Sequence, residues 1–543
     1  MTIKEQLKNI ISKSLKEAGF SYSKDVEVLE PIQAEYGDYS TNIAFSLAKK
    51  EKTTPRDIAE KLVNVLIKDT RVFKSVELAG AGFINFFLSN VFLVDQLEEI
   101  AKKDEKYGNL EQKRPKKIQV EFISANPTGL LHLGHARNGF YGDVLARVLK
   151  KAGHDVQREF YVNDASESTQ IREFGKTLLG EGDQYKSEYI EKKKKALKSE
   201  EKDPGKLGNT VAGEVLKDIR KTTESAGIGF DKWFSESVLY SDNRKEELLE
   251  EIEKRDLSYK EEGALWLKTS DFDDEKDRVI IRSTGDITYF LSDILYHKDK
   301  IARGFKKIID VWGADHQGHE KRMQAAMKIL DYDGSLIIPI IQMMHLKTKD
   351  GSQKMSKRAG TAINLDWLIS EVGRDVARFM MISSDIKSQM VFDLETAKEK
   401  SQKNPVFYIQ YALVRCYGIL RKVKLDKQNT QIDTKYLEKI EANALVKEMI
   451  RFPDVVREAA NSYEIHHLAT YALNLAKKLH QFYKNNRIIE ENPSTLRPAQ
   501  GKLGSGQGSK EVVNEEALVL IKIAKITLEN LFDTIGIEKI QKM

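Results

Sequence analysis

The apolar run Ile118-Gln119-Val120-Glu121-Phe122-Ile123 empties into the loop Ser124-Ala125-Asn126-Pro127-Thr128-Gly129-Leu130-Leu131-His132-Leu133-Gly134-His135. A helical pattern follows at once, with Phe140, Tyr141, Val144, Leu145, Val148 and Leu149 on one face. A strand, a loop and a helix in immediate succession are the repeating unit of doubly wound α/β sheets. The junction gathers free backbone N–H groups at the positive end of the helix, where a polyphosphate can sit, and Gly134 lets a nucleotide come close to the backbone. His132 and His135, three residues apart, can donate to phosphate oxygens as charge moves onto a leaving pyrophosphate.

Far along the chain stands Lys354-Met355-Ser356-Lys357-Arg358. A basic run alone is usually a solvated face, and His-x-Gly-His alone occurs in other nucleotidyl transferases. In this order, behind a Ser-Ala-Asn-Pro-Thr-Gly lead-in, the two segments read as an adenylate-forming site. His132, His135, Lys354 and Lys357 are its electrostatic clamps, and Gly134, Met355 and Ser356 lie along the ATP. The pair resembles the two signatures of class I aminoacyl-tRNA synthetases, and the surrounding text resembles the arginyl-tRNA synthetase family over almost the entire chain. There are departures from that pattern. Leu133 stands where Ile or Val is usual and Arg358 where Ser is usual, and Ser166 follows Asn163-Asp164-Ala165 where many relatives carry Gly.

Composition sets the frame. A chain of 543 residues calls for several domains, and 41% hydrophobic residues can fill their cores. With 31% charged residues and a mean hydropathy of −0.48 the chain reads as soluble, and it holds no run of about twenty apolar residues that could span a membrane. Met1-Thr2-Ile3-Lys4-Glu5-Gln6 leads straight into an amphipathic helix without a signal-peptide core, so the expected address is cytoplasmic. The lone Cys416 excludes a disulfide framework and a cysteine-rich zinc site, and its helical spacing from Tyr408, Ala412 and Ile419 marks it as packing. No protein-bound metal is expected. A net charge of +5 is compatible with an RNA partner without requiring one.

Three parts follow from the patterns. Residues 1–110 mix helix and strand signals, ending in Ala81-Gly82-Phe83-Ile84-Asn85-Phe86-Phe87-Leu88; residues 116–390 alternate strands with helices, with strand candidates at Gln119–Ile123, Lys307–Trp312 and Leu336–Met343; residues 400–543 are helical. The expected fold class is therefore α/β: a Rossmann-type doubly wound parallel-sheet catalytic domain, an N-terminal α/β domain and a C-terminal helical bundle. A charged insertion near 183–208 carries Lys192-Lys193-Lys194-Lys195 and many glutamates, and a Gly/Ser-rich stretch near 493–510 has little to bury.

The resemblance adds roles. It implies that the N-terminal domain reaches the tRNA elbow at its D-loop, with Asn42 a base contact and Tyr39 a stacking neighbour in Tyr36-Gly37-Asp38-Tyr39-Ser40-Thr41-Asn42; a turn leading into the helix 43–50 is the plainer reading. It implies that the C-terminal bundle binds the anticodon through Tyr408, Tyr411, Arg415 and the terminal Met543.

Arginine presents a planar, permanently charged guanidinium with five donors, so a selective pocket needs fixed carboxylates. Tyr289 and Asp293, four apart on a predicted helix, share one face. The resemblance assigns Asp293, Glu236 and Tyr289 to the guanidinium, and Glu121, Asn126 and the adjoining Ser124 to the α-ammonium and carboxylate end. Gly313-Ala314-Asp315-His316-Gln317-Gly318-His319 follows a predicted strand and resembles the segment flanking adenosine, through Gly313 and Asp315, and the amino acid, through either His316 or Gln317. The implied reaction is ATP-dependent activation of arginine followed by transfer to tRNA(Arg), with Mg²⁺ accompanying ATP and the enzyme acting as a monomer. An RNA-independent nucleotidyl transferase and a catalytically silent tRNA-binding paralogue are the alternatives. The flanking domains argue against the first, and the intact His132, His135, Lys354 and Lys357 against the second.

Overall fold

The computed structural model describes residues 1–165, 168–197, 199–349, 351–353, 363–423, 432–491 and 511–543. At the N-terminus Thr2 and Glu5 form a reciprocal capping box that starts the helix Ile3–Glu17, and Ile3, Leu7, Ile11 and Leu15 line its buried face. Helices Ile43–Glu51 and Pro55–Leu66 accompany an antiparallel sheet in which Phe83–Leu88 lies between Tyr39–Thr41 and Phe73–Ala79.

The central sheet is wholly parallel. Its strands are β1 (Lys117–Glu121), β2 (Asp155–Val162), β3 (Lys232–Ser235), β4 (Lys307–Asp310) and β5 (Ser335–Ile337), in spatial order β5-β4-β1-β2-β3. The chain lays β1, β2 and β3 in one direction, then returns to place β4 on the other side of β1. This reversal opens a crevice beyond the carboxyl ends of β1 and β4, the position where open α/β sheets bind ligands. Helix α1 (Leu133–Lys151) follows β1, and helix α2 (Tyr289–Ala302) precedes β4.

All three expected strands end earlier than the apolar text, Lys307–Trp312 stopping at Asp310 with Trp312–Gly313 pairing in a separate two-stranded sheet. The first ends at Glu121 because Ile123 and Ser124 take φ of 66° and 38°, a left-handed turn that no strand can continue through. The apolar stretch 336–343 divides into Ser335–Ile337 and Ile340–Ile341, with a separate strand at Met344–Thr348. Pro339 sits at the break, where it has no N–H to give a ladder and its carbonyl accepts from Trp312 N at 3.0 Å. The charged insertion contains a helix, Glu188–Leu197, and the start of a longer one, Pro204–Ser225. Lys193 pairs with Asp218 of the longer helix at 2.6 Å.

The C-terminal bundle comprises Pro405–Lys422, Ile440–Ile450, Phe452–Ser462, His466–Asn485 and Glu515–Ile535, with Cys416 wholly buried. A small antiparallel ribbon, Ile489–Glu491 with Glu511–Val513, adds to the helices, and the Gly/Ser-rich stretch between its strands lies outside the described residues. The N-terminal domain leans on this bundle through Lys447–Asp38 at 2.7 Å and Arg457–Glu5 at 2.8 Å.

Candidate active site

Helix α1 opens at the crevice. His132 is its N-cap: Nδ1 accepts from Gly134 N at 3.1 Å, and His132 N donates to His135 Nδ1 at 3.3 Å. The two imidazoles stack with centroids 3.6 Å apart. A side chain at 134 would collide with the His132 ring, whose atoms lie 2.9–3.0 Å from where its Cβ would stand. Gly134 is thus required by the folded-back histidine as well as by close approach of a ligand. Lys354, Met355, Ser356, Lys357 and Arg358 lie outside the described residues, but Asn364, just after them, bridges to His132.

The loop after β1 is held from two sides. Ser124 Oγ donates to Glu121 Oε1 at 2.8 Å and accepts from Tyr161 N at 3.1 Å. Asn138, on α1, accepts the N–H of Ile123 at 2.6 Å and donates to Val311 O at 2.8 Å, joining the ends of β1 and β4. Asn126 is exposed at the loop's outer turn. Gly313, Asp315, His316 and Gln317 follow β4; all but Gly313 lie in the 3-10 turn Ala314–His319, and His316 and Asp315 approach within 3.8 Å on the surface.

Glu236, Tyr289 and Asp293 are brought close enough for their charges to act on one another, Asp293 on Glu236 and Glu236 on Tyr289. Thr288 caps α2 by accepting from Leu291 N and donating to Val279 O at 3.0 Å, which sets Tyr289 and Asp293 in the first turns. Tyr240 ties the pocket together, donating to Glu236 Oε1 at 3.2 Å and meeting Ser292 Oγ at 2.7 Å. Glu236 is 3% exposed, and its Oε2 has no hydrogen-bond partner among the described residues. Neither Glu236 nor Asp293 forms an ion pair among those residues. Burial pushes the Glu236 carboxyl up to about 7 against the pull of the Tyr161 and Tyr240 hydroxyls, with Asp164 and Asp293 adding repulsion. Burial likewise lifts Asp293 to about 6, opposed by His297 and Arg322. Buried Glu236 and half-buried Asp293 are thus perturbed carboxyls without an ion-pair partner among the described residues, with Arg322 and His297 near Asp293.

Residues that sequence reasoning left aside also line this region. Asp164 accepts from Ser235 Oγ at 2.7 Å, and Asn163 donates to Gln170 at 3.3 Å, so the irregular Asn163–Gln170 segment still reaches the pocket wall. Tyr161, in β2, and Tyr240, in the 3-10 turn Glu236–Tyr240 after β3, sit in apolar context, and only the spacing of four between Glu236 and Tyr240 could have marked the second.

On the bundle, Tyr408, Tyr411 and Arg415 gather on one helix face. Arg415 donates to Tyr411 Oη at 2.8 Å and lies over the rings of Tyr411 and Tyr483 at 4.6 and 4.4 Å. His480 packs on Tyr408 at 4.7 Å. Tyr483 and His480 belong to the helix His466–Asn485 and were not anticipated. Met543 is 49% exposed. In the N-terminal domain Asn42 is reachable and donates to Glu27 at 2.8 Å, but Tyr39 is only 2% exposed. Tyr39 therefore cannot stack on a base: all three residues of its short strand are buried, and its ring is core.

Three family models match the chain: the arginyl tRNA synthetase N terminal domain over residues 5–88, the class I (R) tRNA synthetase catalytic domain over 96–194 and 183–402, and the DALR anticodon binding domain over 409–543. The chain belongs to the arginyl-tRNA synthetase family. The arginine–tRNA ligase of Listeria monocytogenes serotype 4b (strain CLIP80459) is 39% identical over 94% of this chain and 93% of its own length, and that of Bacillus subtilis (strain 168) is 36% identical over 100% of both. Among solved structures, an arginyl tRNA synthetase from Campylobacter jejuni is 31% identical with a TM-score of 0.71, covering 84% of this chain and 100% of that one. The arginyl-tRNA synthetase of Thermus thermophilus, 22% identical, shares the fold over 100% of both chains with a TM-score of 0.77. The synthetase family's catalytic match spans both the His132 loop and the Glu236–Asp293 pocket.

Proposed function

We propose that this chain is an arginine–tRNA ligase that activates L-arginine with ATP and transfers it to the 3′-terminal adenosine of tRNA(Arg). The observation that carries the amino acid assignment is the pair of carboxyls without an ion-pair partner among the described residues, buried Glu236 and half-buried Asp293, beside Tyr289. A guanidinium supplies a fork of donors and a fixed positive charge to both acceptors at once, which a lysine ammonium does not. Glu121, Ser124 and Asn126 receive the α-ammonium and carboxylate end, with His316 or Gln317 alongside, and Gly313 and Asp315 flank the adenosine.

In the first step a carboxylate oxygen of arginine attacks the α-phosphorus of ATP, and pyrophosphate leaves. His132 and His135 at the head of α1, with Lys354 and Lys357, stabilise the charge that grows on the leaving group, and orientation does the rest. In the second step the terminal 2′-hydroxyl of tRNA attacks the carbonyl carbon of the mixed anhydride, and AMP leaves. Mg²⁺ enters with ATP and neutralises phosphate charge; among the described residues no group of three or more His, Cys, Asp or Glu is arranged to hold a metal ion. The face of Tyr408, Tyr411, Arg415, Tyr483 and Met543 receives the anticodon loop, and Asn42 meets the tRNA elbow. No helix among the described residues is long and apolar enough to cross a membrane, and we place the enzyme, as a monomer, in the cytoplasm. Charging total tRNA with each of the twenty radiolabelled amino acids tests the reading: label from arginine alone supports it, and label from any other in its place overturns it.

A further inference from the structure

Beneath the pocket lies a charged group that the reaction does not use. Lys300, on the inner face of α2, is 0% exposed. Its Nζ is 2.6 Å from Glu121 Oε2 and 2.8 Å from Asp310 Oδ1, and lies 4.2 Å from the centroid of the Tyr296 ring. The second oxygen of Asp310 is 2.8 Å from His297 Nε2, and the other nitrogen of that imidazole is 2.7 Å from the main-chain oxygen of Asp293. Each ring nitrogen faces an oxygen, and because the main-chain oxygen of Asp293 can only accept, Nδ1 is the donor on that side.

The contacts form one unbroken path: Glu121, Lys300, Asp310, His297, Asp293. Its two ends are the residues assigned to opposite ends of the amino acid. Each intermediate member is almost fully buried: His297 is 3% and Asp310 1% exposed. A lysine in such a place costs several kcal/mol unless its carboxylates hold it, so its presence needs a reason beyond stability. The two carboxylates overcome the burial that would lower the Lys300 ammonium, and hold it above its usual range. For Asp310, burial is likewise overcome, by Lys300 and His297, which keep the carboxylate charged.

We propose that Lys300, Asp310 and His297 are positioning residues that lock Glu121 and the Asp293 turn of α2 at a fixed separation, so that the pocket measures the length of its amino acid between its two ends. The inference rests on the arginine reading of the pocket. Glu121 sits at the end of β1, whereas Asp293, His297 and Lys300 share α2, and the Lys300–Glu121 pair joins the two elements beside the Gln119–Tyr296 hydrogen bond at 3.4 Å. Preorganisation of this kind lowers the ordering cost of binding, and its loss appears in amino acid affinity ahead of nucleotide affinity.

The test uses the full-length enzyme with tRNA present, measuring KM for arginine and for ATP separately in pyrophosphate exchange. Lys300→Met leaves the carboxylates of Glu121 and Asp310 without their shared cation and is accompanied by the charge-balanced pair Lys300→Met/Asp310→Asn, which removes one charge of each sign and keeps the variant folded if the single change does not. Thermal unfolding reports folding in both. The expected result for the folded pair is a rise of at least about tenfold in arginine KM, with ATP KM within about threefold of wild type. The conservative His297→Gln, which can still donate at one end, should show a smaller rise of the same kind. The separation is also read directly: homoarginine, one methylene longer, should be rejected less strongly relative to arginine in the pair than in wild type. An unchanged arginine KM and an unchanged homoarginine ratio in a folded pair would overturn the proposal, as would parallel losses in arginine and ATP. A wild type that prefers an amino acid other than arginine would instead defeat the reading of the pocket, a failure distinguishable from this one.

Discussion

Asn138 accepts the backbone N–H of Ile123 at 2.6 Å, and that bond joins the Ser124 contacts in holding a β-branched residue at φ 66°. With Ser124 at φ 38°, the turn stores on the order of 1–3 kcal/mol of backbone strain per residue, which the surrounding contacts must hold in place. The strain aims Ser124 back at Glu121 and turns the chain out toward Asn126. Asn138→Leu keeps the branching at Cγ and leaves Ile123 N and Val311 O unpaired in the interior. Denaturant unfolding should show a loss of about 2–4 kcal/mol, and arginine KM should rise in the folded fraction. Stability within about 0.5 kcal/mol of wild type would mean that the turn holds itself.

The perturbed carboxyls set a pH dependence. Without ligand, burial raises Glu236 to about 7 and Asp293 to about 6, so protonation favours the empty fold: its stabilising contribution is full below the unfolded carboxyl values and is lost as pH rises through about 6 to 7. A guanidinium reverses the preference by favouring the ionised forms. Arginine binding should therefore strengthen as pH rises from about 5.5 to 8 and should release protons near the middle of that range. Calorimetry in two buffers of different ionisation enthalpy reads the proton count. A flat affinity profile with no proton release would contradict the pocket.

Arg415 lies over the rings of Tyr411 and Tyr483, in the cluster proposed above to receive the anticodon loop. Arg415→Ala should raise the KM for tRNA by about tenfold, corresponding to 1–2 kcal/mol, and reduce its salt dependence, while the KM for arginine stays within about twofold. A matching change in arginine KM would mean that the variant disturbs the catalytic domain through the bundle instead.

Much of this architecture can be read from the residues, because period and punctuation report it. The apolar run before His132 and the 3.6-residue pattern after it specify strand, loop and helix without knowledge of any partner. The two motif segments and the carboxylates at 121, 236 and 293 are legible as residue types that the chemistry requires. Tyr39 was not, since a strand of three residues has no alternation from which to tell inside from outside. Lys300 was invisible for a related reason: a lysine near the end of a helix that already carries Lys298 reads as a solvated cation, and only the approach of β1 and β4 supplies the two carboxylates that bury it. The ends of the strands depended on the left-handed turn at Ile123 and on Pro339, the first of which no local pattern announces.

The lysine loop carries its own prediction. If Lys357 meets the leaving pyrophosphate chiefly in the transition state, Lys357→Ala should raise the barrier to activation by about 2–4 kcal/mol and leave ATP and arginine binding far less affected. Equal losses in ground-state ATP affinity would assign it to binding instead.

The central claim is that Asp293 and Glu236 select arginine by its guanidinium, and kcat/KM for arginine, lysine and citrulline in wild type and in Asp293→Asn measures it most directly. Wild type should favour arginine over lysine by roughly 10⁴-fold or more, since one ammonium cannot satisfy both acceptors. Asp293→Asn keeps the shape, removes the charge and turns part of the acceptor set into donors. It should lower kcat/KM for arginine by at least about 2–3 kcal/mol, narrow the gap to citrulline, and leave ATP binding measured alone near normal. A wild type that prefers another amino acid, or an Asp293→Asn variant that loses ATP and arginine equally, would contradict the account.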